Sequence, residues 1–236
     1  MNILAFDTSM RACSAAFLHD ACGTASLTVR FEELERGHAE ALMPMIAEIL
    51  EEAGIGYGDI NRIAVTTGPG TFTGVRVGIA AARGLALATG AELVGSTSLA
   101  VMAGSAIKAS QKDIQHAAIA TDARRGEVYF ALYETGGRCI HEPAALAPHA
   151  AVALLPSHET TLLAGSGAAF LVNAMKSAES TQEHFWPAPI MHDLQPDAAV
   201  LCHMALELSP SVNPVSPLYL RAPDAKPQTG AALPRR

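Results

Sequence analysis

Two aspartates, Asp7 and Asp122, each close a short apolar run, over 3–6 in the first case and 117–121 in the second. Paired strand-end acids suit general acid–base work or the holding of a magnesium ion. They are equally what a duplicated strand leaves at its end. Two glycine turns accompany them. Gly68-Pro-Gly-Thr-Phe-Thr-Gly74 follows an apolar strand over 63–67 and opens a helix; Gly165-Ser-Gly167 follows a strand over 161–164 and opens another. A strand, a glycine-rich turn and a helix N-terminus together offer backbone N–H groups to an anion. The same turn can serve as a rigid corner. Asp7, Thr8, Gly68, Gly70, Asp122 and Gly165 are therefore the candidate residues of a nucleotide cleft.

Other chemistries are poorly supplied. Neither a G-x-S-x-G elbow nor an HExxH helix is present. The four cysteines, Cys13, Cys22, Cys139 and Cys202, show no CxxC spacing, which excludes a zinc ribbon and a redox pair and suits reduced thiols. With 236 residues, half of them hydrophobic and 17% charged, the chain can bury a sizeable core. A net charge of −7 argues against a protein that grips nucleic acid alone through a broad basic surface, and leaves open one face lent to a larger RNA-handling complex. Met-Asn-Ile-Leu-Ala-Phe-Asp lacks the basic start of a signal peptide, and no apolar run is long enough to span a membrane, so a cytoplasmic chain is expected.

The elements that must position these residues fall into two similar series. Strands are expected at 3–6, 13–18 and 25–31, then a helix over 38–53 ended by Gly54, with Pro44 either starting or kinking it. The strand and helix around the first glycine turn follow, the helix reaching about Thr89. A strand at 92–94 and a helix capped by Ser96 or Ser98 and reaching about Ile107 close the first series. Strands at 117–121, 127–133 and 138–141, a helix over 147–155, the strand at 161–164 and a helix over 168–177 repeat the order. A helix over 196–208, a short strand at 217–221 and a polar tail from about residue 222 complete the chain. The expected fold is α/β with two subdomains and a cleft between them, 1–108 and 109–236, and helix 196–208 packing back on the first.

Two helices carry more apolar surface than their own sheet needs. On helix 38–53, Leu42, Ile46, Ile49 and Ala53 form the central face, and Met43, Met45 and Leu50 widen it. On helix 74–89, Val75, Ile79, Ala82 and Ala86 form one face and Val77, Ala81, Leu85 and Ala88 a second, while Arg76 and Arg83 share a narrow polar stripe. Gly74, Gly78 and Ala82, and again Ala80, Gly84 and Ala88, fall four apart and would let another helix approach closely. His38, Leu42, Met43, Met45, Ile46, Arg76, Ile79, Ala82, Arg83 and Ala86 are the expected partner-facing residues. Trp186, between Phe185 and Pro187, is expected to pack locally.

The duplicated βββαβα order with an acid ending each first strand resembles the actin-like superfamily, in which the acids hold magnesium-bound water and glycine turns cradle phosphates. This chain departs from that pattern in having Asp7-Thr8-Ser9 where a glycine usually follows two residues after the acid, and Gly165-Ser166-Gly167 where a Gly-Gly pair is usual. Four segments narrow the resemblance: ILAFDTS at the start, GHAEALMPMI at 37–46, GPGTFTGVRVGIAAARGLA at 68–86 and DARRGEVYFALY at 122–133, with PLYLR at 217–221. Together these resemble the bacterial TsaB family, also called YeaZ. The resemblance implies a non-catalytic subunit, without cofactor or metal, in the making of threonylcarbamoyladenosine next to the tRNA anticodon. Its implied partners are the related catalytic subunit TsaD and the ATPase TsaE, with tRNA met only through the complex and a homodimer formed when alone. TsaD-type relatives hold a metal through HxxxH on the helix after the third strand; here the pair reads His38-Ala-Glu-Ala-Leu42, and leucine replaces one ligand. The competing readings are a small actin-like ATPase or phosphotransferase and a metallopeptidase.

Overall fold

A computed structural model describes residues 1–21, 24–110, 114–156, 161–178, 190–210 and 214–221. Two five-stranded mixed sheets lie at its centre, and they share one strand order. In the first, β1 (Asn2–Asp7) is flanked by the antiparallel β2 (Ala12–Ala21) and by the parallel β4 (Arg62–Thr66); β3 (Thr24–Glu33) and β5 (Glu92–Ser96) form its edges. In the second, β6 (His116–Asp122) takes the place of β1, with β7 (Val128–Glu134) and β8 (Cys139–Leu146) on one side and β9 (Thr161–Ala164) and β10 (Ile190–Met191) on the other. This is the α/β, actin-like duplication. Each of the acids Asp7 and Asp122 is the last residue of its sheet's central strand.

The helices follow from where apolar residues recur. Helix α1 (His38–Ala53) continues on both sides of Pro44, so the proline does not start it, and Gly54 closes it in the left-handed conformation. Its Leu42, Met45, Ile46, Ile49 and Leu50 join Leu4, Phe6, Phe17, Ile63 and Val65 in one core. Helix α2 (Phe72–Thr89) begins two residues before Gly74 because the Thr71 side chain accepts from the Gly74 N–H at 3.1 Å and caps it. Val75, Ile79 and Ala82 enter the same core. Helix α3 (Ser98–Ala109) is capped by Thr97, not by Ser96 or Ser98, since the Thr97 hydroxyl alone accepts the Ala100 N–H, at 3.1 Å. It lies between the sheets: Val101 packs with β1, β2 and β4, while Leu99, Met102, Ala103 and Ala106 pack with β6, β7 and β9.

The second half departs more from expectation. Helix α4 (Pro148–Val152) is shorter than the span over 147–155, with Pro148 in its first turn. Helix α5 (Ala168–Ala178) follows β9, and β10 is an element the sequence did not announce. Helix α6 (Ala198–Met204) is shorter than 196–208; Asp197 is its N-cap and Pro196 lies outside it. Its Ala198, Leu201 and Cys202 cover Ile3, Ala5, Ala16, Leu18 and Ala64 on the open face of the first sheet. The Arg62 guanidinium closes its far end by donating to the carbonyls of Ala205 (2.6 Å) and Leu208 (2.9 Å) while pairing with Glu92. Residues 217–221 are not a strand. They form an extended strap whose Leu218 N–H donates to the Thr67 carbonyl at 2.8 Å without a continuing ladder. Trp186, Cys22 and the tail from residue 222 lie outside the described residues.

Candidate functional site

At the end of β1 the chain turns through Thr8 and Ser9 and lies directly on the glycine turn. The Thr8 hydroxyl donates to the Gly74 carbonyl at 2.7 Å, and the Ser9 carbonyl accepts the Thr71 N–H at 2.7 Å. This contact is why glycine stands at two positions. A Cβ on Gly70 would lie 2.2 Å from the Ser9 carbonyl oxygen, and one on Gly74 would lie 2.0 Å from that of Thr8. The loop and the turn thus occupy one another. Three donors at the start of α2 are taken: Thr71 N–H by Ser9, Gly74 N–H by the Thr71 hydroxyl and Val75 N–H by the Thr71 carbonyl at 3.1 Å.

Asp7 is fully buried beneath this contact. Its Oδ1 accepts from the Ser9 hydroxyl at 2.6 Å and from Thr66 Oγ1, and both carboxylate oxygens lie 3.2 Å from the Ser9 N–H. The Ser9 hydroxyl also meets that of Ser98 at 2.8 Å, which ties the carboxylate to the start of α3. Burial pushes the Asp7 carboxyl up to about 6, against the lowering effect of the Ser9 and Thr66 hydrogen bonds and the nearby His38. Both hydroxyls thus bond Oδ1, while Oδ2 meets only the shared Ser9 N–H.

Asp122 has a different environment. It is part-exposed, its Oδ1 accepts the Arg124 N–H at 2.7 Å, and its own N–H donates to the Ser166 hydroxyl at 3.1 Å. In the second glycine turn the Gly165 N–H donates to Met191 at 2.8 Å and the Gly167 N–H to Ala120 at 2.9 Å. Those donors too are spent on the fold. In both halves of the candidate cleft, part of the glycine turn's donor set is thus committed to the protein's own backbone and side chains. His38 begins α1, with its Nε2 buried and without a hydrogen-bond partner among the described residues. Leu42, one turn on, is a core residue, and among the described residues no group of His, Cys, Asp or Glu could hold a metal ion.

The two helices separate the residues that the sequence grouped as partner-facing. Leu42, Met45, Ile46, Ile79 and Ala82 are buried against their own sheet, which corrects their assignment to a partner surface. The reason is that these side chains lie on the stripes facing β2 and β4, and the sheet claims them first. His38 and Ala86 are half-buried; Met43, Arg76 and Arg83 are exposed. Arg83 is nevertheless engaged, since its Nε donates to the Val215 carbonyl at 3.0 Å and its Nη2 to the same oxygen. Arg76 lies over the Phe72 ring, 3.2 Å from its centroid, and 5.2 Å from the Tyr219 centroid. The outer surface of the pair presents Met43 and Ala47 from α1, and Ala80, Gly84, Leu87 and Ala88 from α2. Leu87 is 89% exposed, and no atom lies within 4 Å of where a Gly84 Cβ would be. Ala41, Pro44 and Glu48 turn to the opposite flank of α1, where they line a groove with Arg30, Phe31 and Glu32.

Sequence reasoning missed Ser9 and Thr66, whose hydroxyls donate to Asp7, Ser98, whose hydroxyl meets that of Ser9, and Phe72 and Tyr219, the rings around Arg76. The spacing Asp7-Thr8-Ser9 carried a signal for the first of these, because a serine two residues after an aspartate turns back to bond it. The rings had none, being 147 residues apart in sequence.

Comparison with known proteins agrees with this frame. A family model described as TsaD, tRNA N6-adenosine threonylcarbamoyltransferase, matches residues 29–182. The protein of Escherichia coli named tRNA threonylcarbamoyladenosine biosynthesis protein TsaB is 43% identical over 134 residues, which are 57% of this chain and 55% of that protein. Its namesake from Haemophilus influenzae is 40% identical over 130 residues, covering 55% of this chain and 52% of that one. The chain thus spans about half the length of these curated relatives in the matched region. The solved structure of YeaZ from Pseudomonas aeruginosa superposes with a TM-score of 0.76 at 30% identity, over 93% of this chain and 99% of that one. Similarity of this extent in sequence and fold places the chain in the TsaB/YeaZ family.

Proposed function

We propose that this chain is a non-catalytic scaffold subunit of tRNA threonylcarbamoyladenosine biosynthesis, working in the cytoplasm. It docks a TsaD-like catalytic subunit, and a TsaE-like ATPase joins the assembly. The observation that supports the non-catalytic half is the close seating of Thr8 and Ser9 on Gly74 and Gly70, above a fully buried Asp7. The names of the TsaB relatives supply the pathway. The docking surface is the outer face of α1 and α2. Ala80, Gly84 and Ala88 are exposed at four-residue spacing, which lets a partner helix come close, and Leu87 and Met43 are its apolar anchors. Alone, the chain covers this face with a second copy of itself.

The test is reconstitution of tRNA modification with a TsaD-like subunit, with and without this chain, alongside co-purification of surface variants. Leu87→Glu and Ala80→Glu are expected to abolish co-purification and modification while leaving thermal stability unchanged, since both side chains are exposed. Full complex formation by both variants would remove this surface from consideration. Hydrolysis of Mg-ATP by the isolated chain, lost in Asp7→Ala, would instead establish the ATPase reading.

A further inference from the structure

The outer end of α2 carries a cluster that the helix-docking surface does not use. Phe72 is 69% exposed and Tyr219, on the strap, is 55% exposed, with ring centroids 6.5 Å apart and planes inclined by 31°. Arg76 lies against one face of Phe72 and near the edge of the pair. It also donates to the Phe72 carbonyl at 3.4 Å, and among the described residues it pairs with no carboxylate. On the strap the aliphatic residues Leu218 and Leu220 are half-buried while Tyr219, between them, turns outward. Two residues on, Arg221 crosses to the second half of the molecule. Its guanidinium donates to the carbonyls of Ala123 (2.7 Å) and Arg124 (3.2 Å), pairs with Glu127 and lies 5.9 Å from the Tyr129 centroid.

Arg221 thereby ties the strap to the β6–β7 hairpin tip. Arg124, Arg125 and Gly126 follow one another there with φ of 65°, 56° and 76°. Consecutive non-glycine residues in the left-handed region are strained, and such strain gathers where a side chain must be aimed. The Arg124 side chain is 87% exposed, with its guanidinium 3.7 Å from Asp122. The result is an exposed row of two rings and a guanidinium, Phe72, Arg76 and Tyr219, with Arg124 exposed on the hairpin that the strap holds, in a chain whose net charge is −7.

The geometry points to this row as a docking site for single-stranded RNA. Unstacked bases lie on the exposed aromatic faces, and phosphates meet Arg76 and Arg124. The alternation of rings and cations with the aliphatics turned inward matches a base-and-phosphate strand better than the aliphatic face of a partner protein. The inference deepens the proposed role by giving this chain its own contact with RNA, and rests on that reading only for which RNA is met. A duplex keeps its bases stacked and offers these rings nothing, so the site discriminates strand from helix.

The test is fluorescence anisotropy at low salt with the full chain, a labelled single-stranded RNA oligomer and its duplex. The wild-type chain is expected to prefer the single strand, and Phe72→Ala and Tyr219→Ala are each expected to weaken binding about tenfold, as loss of one stacked base does. Phe72→Trp is expected to keep binding, and Arg76→Gln to reduce the slope of affinity against salt by about one phosphate contact. No binding by the wild type, equal binding of duplex, or alanine variants that bind like the wild type would overturn the inference. Circular dichroism of each variant separates loss of the site from loss of the fold. The assay contains no partner subunit, so its failure is distinct from failure of complex formation by the α1–α2 face.

Discussion

The Thr8 hydroxyl donates to the Gly74 carbonyl across 66 positions of sequence, and one turn on, a Gly78 Cβ would lie 2.8 Å from the same hydroxyl oxygen. This pairing locks the end of β1 onto the first turns of α2. The glycine turn is thereby a joint between two elements, with the buried Asp7 carboxylate beneath it.

Substitution of the glycines reads that joint directly. Gly74→Ala is expected to cost more than about 3 kcal/mol or to prevent folding, because the new Cβ meets backbone, which cannot move aside. Gly84→Ala, on the exposed side of the same helix with open space around it, is expected to stabilise by up to about 1 kcal/mol. Denaturant unfolding of the two variants beside the wild type gives both numbers.

Asp7 predicts a pH dependence of stability. Its carboxyl is raised by burial from 3.8 to about 6 in the folded chain, so between those values the folded state binds the extra proton. Stability from this group is fully present below pH 3.8 and is lost as pH rises through about 6, by about 3 kcal/mol at most. Asp7→Asn keeps an oxygen to accept from Ser9 and Thr66 and cannot ionise. It is expected to flatten that part of the stability curve, measured by urea unfolding across the range.

The thiols give a third check. Burial pushes Cys13 and Cys202 up to about 12, and neither touches solvent. Both are expected to resist a maleimide at neutral pH in the native protein and to react at once in denaturant. Cys139 is half-buried, with its thiol also raised by burial, and is expected to label slowly but ahead of the other two. Peptide mapping by mass spectrometry orders them.

The strap is held by charged hydrogen bonds that can be removed one at a time. Arg83→Ala frees Val215, and Arg221→Ala frees the β6–β7 tip from Tyr219's segment. Each is expected to cost about 2 kcal/mol. Hydrogen exchange should show the loss locally: at residues 214–218 in the first case, and at residues 123–127 in the second.

Much of this was legible in the chain. Apolar runs punctuated by glycine located α1 to the residue, because His38 follows Gly37 and Gly54 ends it, and the two acids marked the equivalent ends of β1 and β6. The division of labour on each helix was less legible. Helix α2 is apolar nearly all round, and nothing in its own residues says that Val75, Ile79 and Ala82 go to the sheet while Ala80 and Leu87 remain outside. Arg76 and Arg83 share a stripe in sequence yet take unrelated partners, because those partners come from residues 215–219, more than 130 positions later. The same remoteness made the strap resemble a strand: alternation of Leu218, Tyr219 and Leu220 is a strand pattern, and here one of its sides is a protein surface with no neighbouring strand.

Helix α6 imposes an order of events on synthesis. The first sheet is complete by Ser96, but the face of Ile3, Ala5, Leu18 and Ala64 receives its cover from Ala198, Leu201 and Cys202. Domains made early on the ribosome ordinarily close before their successors emerge. This one cannot. For about a hundred residues of elongation the nascent chain carries a finished sheet with one oily side covered only in part, by Val101 of α3, so a gene truncated before α6 should yield an aggregating product rather than a smaller folded protein, and a chaperone has its natural moment of engagement there.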